Sequence, residues 1–172
     1  MIEEKPMERF VVSGIVLNKK EARVTIEEVA DKPGIAGFIF TELARVNINV
    51  DMIVQSSTKG GKNDISFTVE EKDLKEVEKV MEKIKKRLGV KEAFYDADMA
   101  KVSLVGAGMQ SHPGVAARML TSLGREKINI DMISTSEIKI SCVVKKNEGE
   151  KAVRAIYKEF ELDKEENFEP GI

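Results

Sequence analysis

The sequence predicts an α+β protein built from two similar units, each an antiparallel sheet with helices on one face, the first unit inserted into the second. Three observations lead there. A long stretch occurs twice, as VTIEEVADKPGIAGFIFTELARVNINVDMIVQSS from Val24 and as VSLVGAGMQSHPGVAARMLTSLGREKINIDMISTSE from Val102. Pro33-Gly34 and Pro113-Gly114, Ala36 and Ala116, and Ile48 and Ile128 all stand 80 residues apart. Each copy passes from the period-two spacing of a strand to the three-and-four spacing of a helix and back. Finally, the second copy lacks a closing strand, while an unassigned apolar run, FVVSGIVLN, stands near the start of the chain.

In chain order, Phe10 to Asn18 reads as that orphan strand. Val24, Ile26 and Val29 form the first strand of copy one, which ends at the turn Asp31-Lys32-Pro33-Gly34 because Pro and Gly break a ladder. Ile35, Phe38, Ile39 and Leu43 mark one face of a helix. Strands follow over Val50 to Ser56 and Ile65 to Val69, separated by a long polar loop, SSTKGGKND. Leu74, Val77, Met81, Ile84 and Leu88 stripe a second helix, and VKEAFYDA from Val90 gives a last strand. Copy one is thus a ferredoxin-like βαββαβ unit.

Copy two repeats this with Val102, Leu104 and Val105, the turn Ser111-His112-Pro113-Gly114, and a helix on Val115, Met119 and Leu123. Its next strands run from Ile130 to Thr135 and Ile138 to Val144 with almost no loop, and Val153, Ile156 and Phe160 mark a shorter helix. The polar tail DKEENFEPGI supplies no sixth element, so the orphan strand is expected to complete this sheet. The expected domains are 20–98 for the inserted unit and 10–18 with 99–164 for the other, with 1–9 and 165–172 as flexible ends.

Composition narrows the function. The 172 residues carry 28 Lys and Arg against 30 Asp and Glu, a net charge of −2, which excludes a nucleic-acid footprint in the totals. At 42% hydrophobic and 34% charged this is an ordinary globular composition, and a compact fold of this length buries roughly 70% of its extended-chain surface. No apolar run approaches the ~20 residues that cross a bilayer, and the acidic start has no signal core, so a cytoplasmic protein away from membranes is expected. One Cys and one His leave no disulfide, no multi-Cys zinc site and no metal or cofactor site readable from motifs.

Polar residues gather at the repeated strand-to-helix turn. The first N–H groups of a helix lack acceptors and its dipole favours an anion, so a carboxylate fits there. Gly34 and Gly114 allow close approach to the backbone, and Ala36 and Ala116 leave room. The bland alternative, a helix cap by Asp31 or Ser111, is weakened by the repetition and by the Asn-x-Asp-Met-Ile strand that follows each turn. The copies differ chemically. Only copy one has an acid, Asp31, suited to an ammonium; copy two has Ser111, and Lys32 becomes His112. Candidate ligand contacts are Asp31, Pro33, Gly34, Ile35, Ala36, Asn49 and Gln55 in copy one, and Pro113, Gly114, Val115, Ala116 and Asn129 in copy two. Asp51 and Asp131 read as structural turn residues. No catalytic residue is assigned: GAGM at Gly106 is only a fragment of a phosphate loop, His112 has no triad neighbours, and Cys142 sits in an apolar strand.

As a set, VVSGIV, DKPGIAG, NINVDMIVQ, KVSLVGAGMQSHPGVAARM and INIDMISTSEIKIS resemble the regulatory region of aspartokinase, built of two ACT domains. The likeness covers roughly Pro6 to Leu162, and ISTSEIKIS is more specific to this family than to ACT domains at large. No kinase domain precedes it, so the chain looks like the separate β subunit that some bacterial aspartokinases make beside a full-length α subunit, or like a truncated form of the enzyme. The resemblance implies feedback inhibition of aspartate phosphorylation in lysine, threonine and methionine biosynthesis. The effector would be threonine, lysine or both, held at interfaces between ACT domains through Asp31, Gly34, Ile35, Ala36 and Gln55 with Asn129 and Ile130. The implied partners are a second copy of the chain and an aspartokinase α subunit. The alternative is an ACT-type regulatory subunit of another amino-acid pathway enzyme, such as the valine-sensing subunit of acetolactate synthase.

Overall fold

A computed structural model describes residues 11–109 and 112–162. Its elements are β1 (Val11–Ala30), α1 (Ile35–Arg45), β2 (Val50–Thr58), β3 (Lys62–Glu70), α2 (Leu74–Leu88), β4 (Ala93–Ala107), α3 (Val115–Arg125), β5 (Met132–Thr135), β6 (Lys139–Lys145) and α4 (Gly149–Glu159). A single 3-10 turn leads into α2 (Glu71–Asp73) and another into α4 (Lys146–Glu148), so the repeat extends to this detail.

The chain divides into two compact units, Lys20–Met99 and the described residues on either side of it. The first unit orders its strands β2-β3-β1-β4 and the second β1-β4-β6-β5. Numbered from each unit's own first strand, both read fourth-first-third-second. The N-terminal half of β1 therefore stands where copy two needs its fourth strand, the inserted arrangement that the missing strand implied. Packing supports this position: Val12 is buried in the second unit's core, and a Cβ on Gly149 would lie 2.9 Å from Leu17 Cδ1 and 3.1 Å from Ala100 Cβ. The N-terminal strand and the start of α4 thus pack closely at Gly149, where a side chain would have to push the end of Leu17 aside.

Alternation builds each core. On β1, Ala22, Val24 and Ile26 are fully buried and meet Ile39, Leu43, Val77, Met81 and Ile84 from the helices. In the second unit Val102, Leu104, Ile140, Cys142 and Val144 meet Met119, Leu123 and Ile156. Burying one such large side chain stabilises a fold by about 1.5–3 kcal/mol, and truncating it to Ala costs about 2–5 kcal/mol. Among the described residues, no helix is long and apolar enough to cross a membrane.

Several expected boundaries are corrected. From Val11 on, the strand expected at Phe10 to Asn18 and the one expected from Val24 are parts of one 20-residue strand, Phe10 lying outside the described residues, and those expected from Val90 and Val102 merge into β4, which starts only at Ala93. Neither Asn18-Lys19-Lys20-Glu21 nor Asp98-Met99-Ala100-Lys101 contains a Pro or Gly to stop the ladder. The long loop SSTKGGKND is instead an extended hairpin with nine residues in each strand and a three-residue turn, Lys59-Gly60-Gly61. Gly60 (φ 80°) and Gly61 (φ 70°) take the left-handed backbone that lets the turn be this short. In copy two the strand expected from Ile130 begins at Met132, and Ile138 lies just outside β6. In α4, Ala152 reaches the core and Val153 packs at its margin. The expected ends 1–9 and 165–172, and Ser111, lie outside the described residues.

Candidate functional site

Both strand-to-helix turns are built the same way. Gly34 (φ 91°) and Gly114 (φ 98°) precede the first helical residue in the left-handed region, where an L side chain is strained. Nothing lies within 4 Å of the place a Cβ would occupy at either, so backbone conformation rather than crowding demands glycine. The first bonds inside the helices are also matched: Phe38 N–H donates to Gly34 O and Arg118 N–H to Gly114 O, each at 2.9 Å. Neither helix start has a side-chain cap. Asp31 is therefore not the helix cap; Ile35 N–H makes only a long 3.4 Å bond to Lys32 O, and the N–H groups of Ala36 and Gly37 at the start of α1 suit a ligand anion.

Asp31 is held from another direction. Its backbone N–H donates to Gly61 O at 2.9 Å, and its carboxylate Oδ1 accepts a 3.0 Å hydrogen bond from Asn63 Nδ2. Asn63 lies on β3, opposite Val29 on β1 and Ser57 on β2. Only 4% of it is exposed, yet it is a polar residue. The extended β2–β3 hairpin is what carries it to the turn, and register then places Gln55 opposite Ile65 on the same hairpin.

These parts line one hollow of about 310 Å³: Asp31, Lys32, Pro33, Gly34, Ile35, Ala36, Gln55, Asn63 and Ile65, with Ala30. Of the residues expected here from sequence, Asp31, Pro33, Gly34, Ile35, Ala36 and Gln55 come together. Asn49 does not line it. The reason lies at the end of α1, where Asn47 (φ 61°) takes a left-handed turn and Ile48 N–H returns to Leu43 O at 3.1 Å. Asn49 follows that turn, before β2 begins, and is exposed.

The second unit has a hollow of about 450 Å³ at the equivalent turn, lined by Met109, His112, Pro113, Gly114, Val115, Ala116, Thr135, Ser136, Glu137 and Ile140. Pro113, Gly114, Val115 and Ala116 meet as expected, whereas Asn129 and Ile130 do not line it. They follow the same kind of helix end, with Lys127 at φ 57° and Ile128 N–H on Leu123 O at 3.0 Å. His112 Nδ1 lies 2.8 Å from Gly108 O, so the ring is held by the backbone of its own turn. Cys142 is buried, and burial pushes its thiol up to about 12, which removes the thiolate a nucleophile needs. Among the described residues, no group of three or more His, Cys, Asp or Glu side chains is placed to hold a metal ion.

Asn63 is the buried polar residue of the first hollow that sequence reasoning missed. Within KGGKND it reads as one more turn residue. The usable signal was the match of Ile65-Ser66 to Ile140-Ser141, which sets Asn63 opposite Ile138 in the repeat and exposes a polar-for-apolar exchange.

Comparison with known proteins matches the ACT domain at residues 23–89 and again at 102–160. The aspartate kinase Ask_LysC of Stutzerimonas stutzeri is 47% identical over 161 residues, which cover 94% of this chain but 39% of that protein. The chain thus spans about two-fifths of the length of the curated relatives it matches. A chain in a crystal structure of aspartokinase alpha and beta subunits is 42% identical, with a TM-score of 0.81, 88% of this chain and 99% of that one being covered. The regulatory subunit of aspartate kinase from Thermus thermophilus, in its ligand-free form, is 35% identical with a TM-score of 0.82, the coverage being 87% and 99%.

Proposed function

The chain belongs to the aspartokinase family, where it corresponds to the regulatory region of two ACT domains, and from this premise we propose that it senses an amino-acid end product of the pathway. The effector is threonine or lysine, and its binding lowers the rate at which an associated catalytic region phosphorylates aspartate. The observation that carries this reading is the first hollow, where the uncapped start of α1 and a fixed Asp31 carboxylate stand on one rim. The N–H groups suit the effector's carboxylate, Asp31 suits its ammonium, and Gln55 supplies an amide within the same hollow. A dissociation constant of about 0.1–1 mM needs only about 4–5.5 kcal/mol, within reach of a few charge-assisted hydrogen bonds.

A ligand shifts an equilibrium only by binding one arrangement better than another. An open hollow gains that dependence when a second copy of the chain closes it, and the edges supply a reason to pair. Edge strands β2 and β5 leave Ile53 52% exposed and Ile133 43% exposed, at matching places in the repeat. We therefore place the effector where ACT domains of two subunits meet, with Asn129 and Ile130 of one chain serving the hollow of another. Effector should then tighten the dimer, and dimerisation should tighten effector binding by the same factor.

Thermal melts against the twenty amino acids test the sensor reading. Threonine is expected to raise the melting temperature most, lysine next, with valine inert. No shift with any aspartate-derived amino acid at several millimolar would overturn it. Sedimentation with and without threonine tests the pairing, and a monomer at tens of micromolar with saturating effector would exclude the shared site.

A further inference from the structure

We infer that Asn63 is a positioning residue that makes the first hollow selective for an α-ammonium group, an inference that rests on the amino-acid-sensor reading. A carboxylate can only accept hydrogen bonds, so the Asn63 amide must turn its nitrogen toward Asp31, as the 3.0 Å contact from Nδ2 to Oδ1 has it. This leaves Asn63 Oδ1 buried and, among the described residues, without a hydrogen-bond partner. A buried amide with an unmet acceptor is normally avoided, because burying polar groups unpaired destabilises the fold. Here the residue sits on the wall of the hollow itself.

The contact has a definite effect on Asp31. The acid stands exposed on a turn between a strand and a helix, where an untethered side chain would keep rotamer freedom. The bond from Asn63 and the Asp31 N–H bond to Gly61 tie both ends of the residue to one hairpin. With Oδ1 tied to Asn63, Oδ2 keeps its acceptor capacity for a cation. The second unit lacks both partners of this pair: Ser111 stands for Asp31 and Ile138 for Asn63, while the glycine, the helix start and the isoleucine of β3 and β6 are retained. An arrangement kept or lost as a pair points to a job done by the pair, and that job is the discrimination of an ammonium from a neutral group.

Ligand pairs that differ only at the α position test it by calorimetry on the full chain. The probes are L-threonine and its 2-hydroxy analogue, then L-lysine and 6-amino-2-hydroxyhexanoate. The wild type should prefer the amino acid to the hydroxy acid by at least tenfold, and Asp31→Asn should erase most of that preference. Asn63→Ala should reduce it severalfold even though Asp31 is intact. Asn63→Ser, which keeps a short donor, should restore part of it and guards against a poorly folded alanine variant. A merely structural role for Asn63 would weaken both ligands alike and leave the ratio at its wild-type value, and that result would overturn the inference while leaving the sensor reading standing. A wild type that binds none of the four probes would overturn both.

Discussion

The two units share a backbone and differ in the chemistry laid on it. Gly34 and Gly114 take nearly the same φ, 91° and 98°, before helices of eleven residues each. A buried or half-buried hydroxyl pair ties the first and third strand of each unit, Thr25 with Ser66 at 2.9 Å and Ser103 with Ser141 at 2.7 Å. Against that shared frame, Asp31, Lys32, Gln55 and Asn63 stand where the second unit has Ser111, His112, Thr135 and Ile138. The hairpins differ too: nine and nine residues in the first unit, four and seven in the second. The Pro-Gly turn, the following Ala and the strand isoleucine are common to both hollows, and the polar side chains that line them are not. The lesson is that the fold is repeated while the acid suited to an ammonium, Asp31, stands in one copy only.

The largest test of this comparison is to remove residues 1–18. The second unit then loses the strand that carries Val12 and Leu17 into its core and presents the bare edge of β4, so aggregation is expected. The fragment 20–98, with strands and helices of its own, should still fold cooperatively. Size-exclusion chromatography and circular dichroism of both pieces read the outcome, and a stable, unaggregated 19–172 chain would break the assignment of β1 to the second sheet.

Much of this was legible beforehand. The repeat, the helix starts at Pro-Gly, the apolar stripes and the missing strand are all encoded in single positions: Gly34 for φ, Leu43 and Leu123 for burial, Phe10 to Asn18 for the orphan strand. What escaped depended on contacts between distant segments. Nothing local says that Lys19-Lys20 continues a strand rather than separating two, because charged residues sit equally well in a loop and on an exposed strand face. Likewise Asn63 resembles a turn residue until the register of β2 and β3 carries it to Asp31.

Smaller effects sharpen the comparison. Gly34→Ala and Gly114→Ala should each destabilise by about 1 kcal/mol or more, since alanine is strained at positive φ, and the two losses should be alike despite the different hollows around them. Denaturant melts measure this, and a large cost at one turn with none at the other would show that the turns are not equivalent. Smallest is the reactivity of Cys142: with its thiol pushed up to about 12, almost none is thiolate at pH 8, so a thiol reagent should label the chain only after unfolding. Rapid labelling of the native protein would contradict the packed second core.

The central claim is that the first hollow, and not the second, holds the amino acid by its ammonium. Titration calorimetry of threonine and lysine on the wild type, Asp31→Asn and Ser111→Ala tests it most directly. The account predicts millimolar or tighter binding by the wild type, at least a tenfold loss in Asp31→Asn from a charge-assisted bond of about 1.5–3 kcal/mol, and little change in Ser111→Ala. Binding that survives Asp31→Asn intact and falls in Ser111→Ala would contradict it.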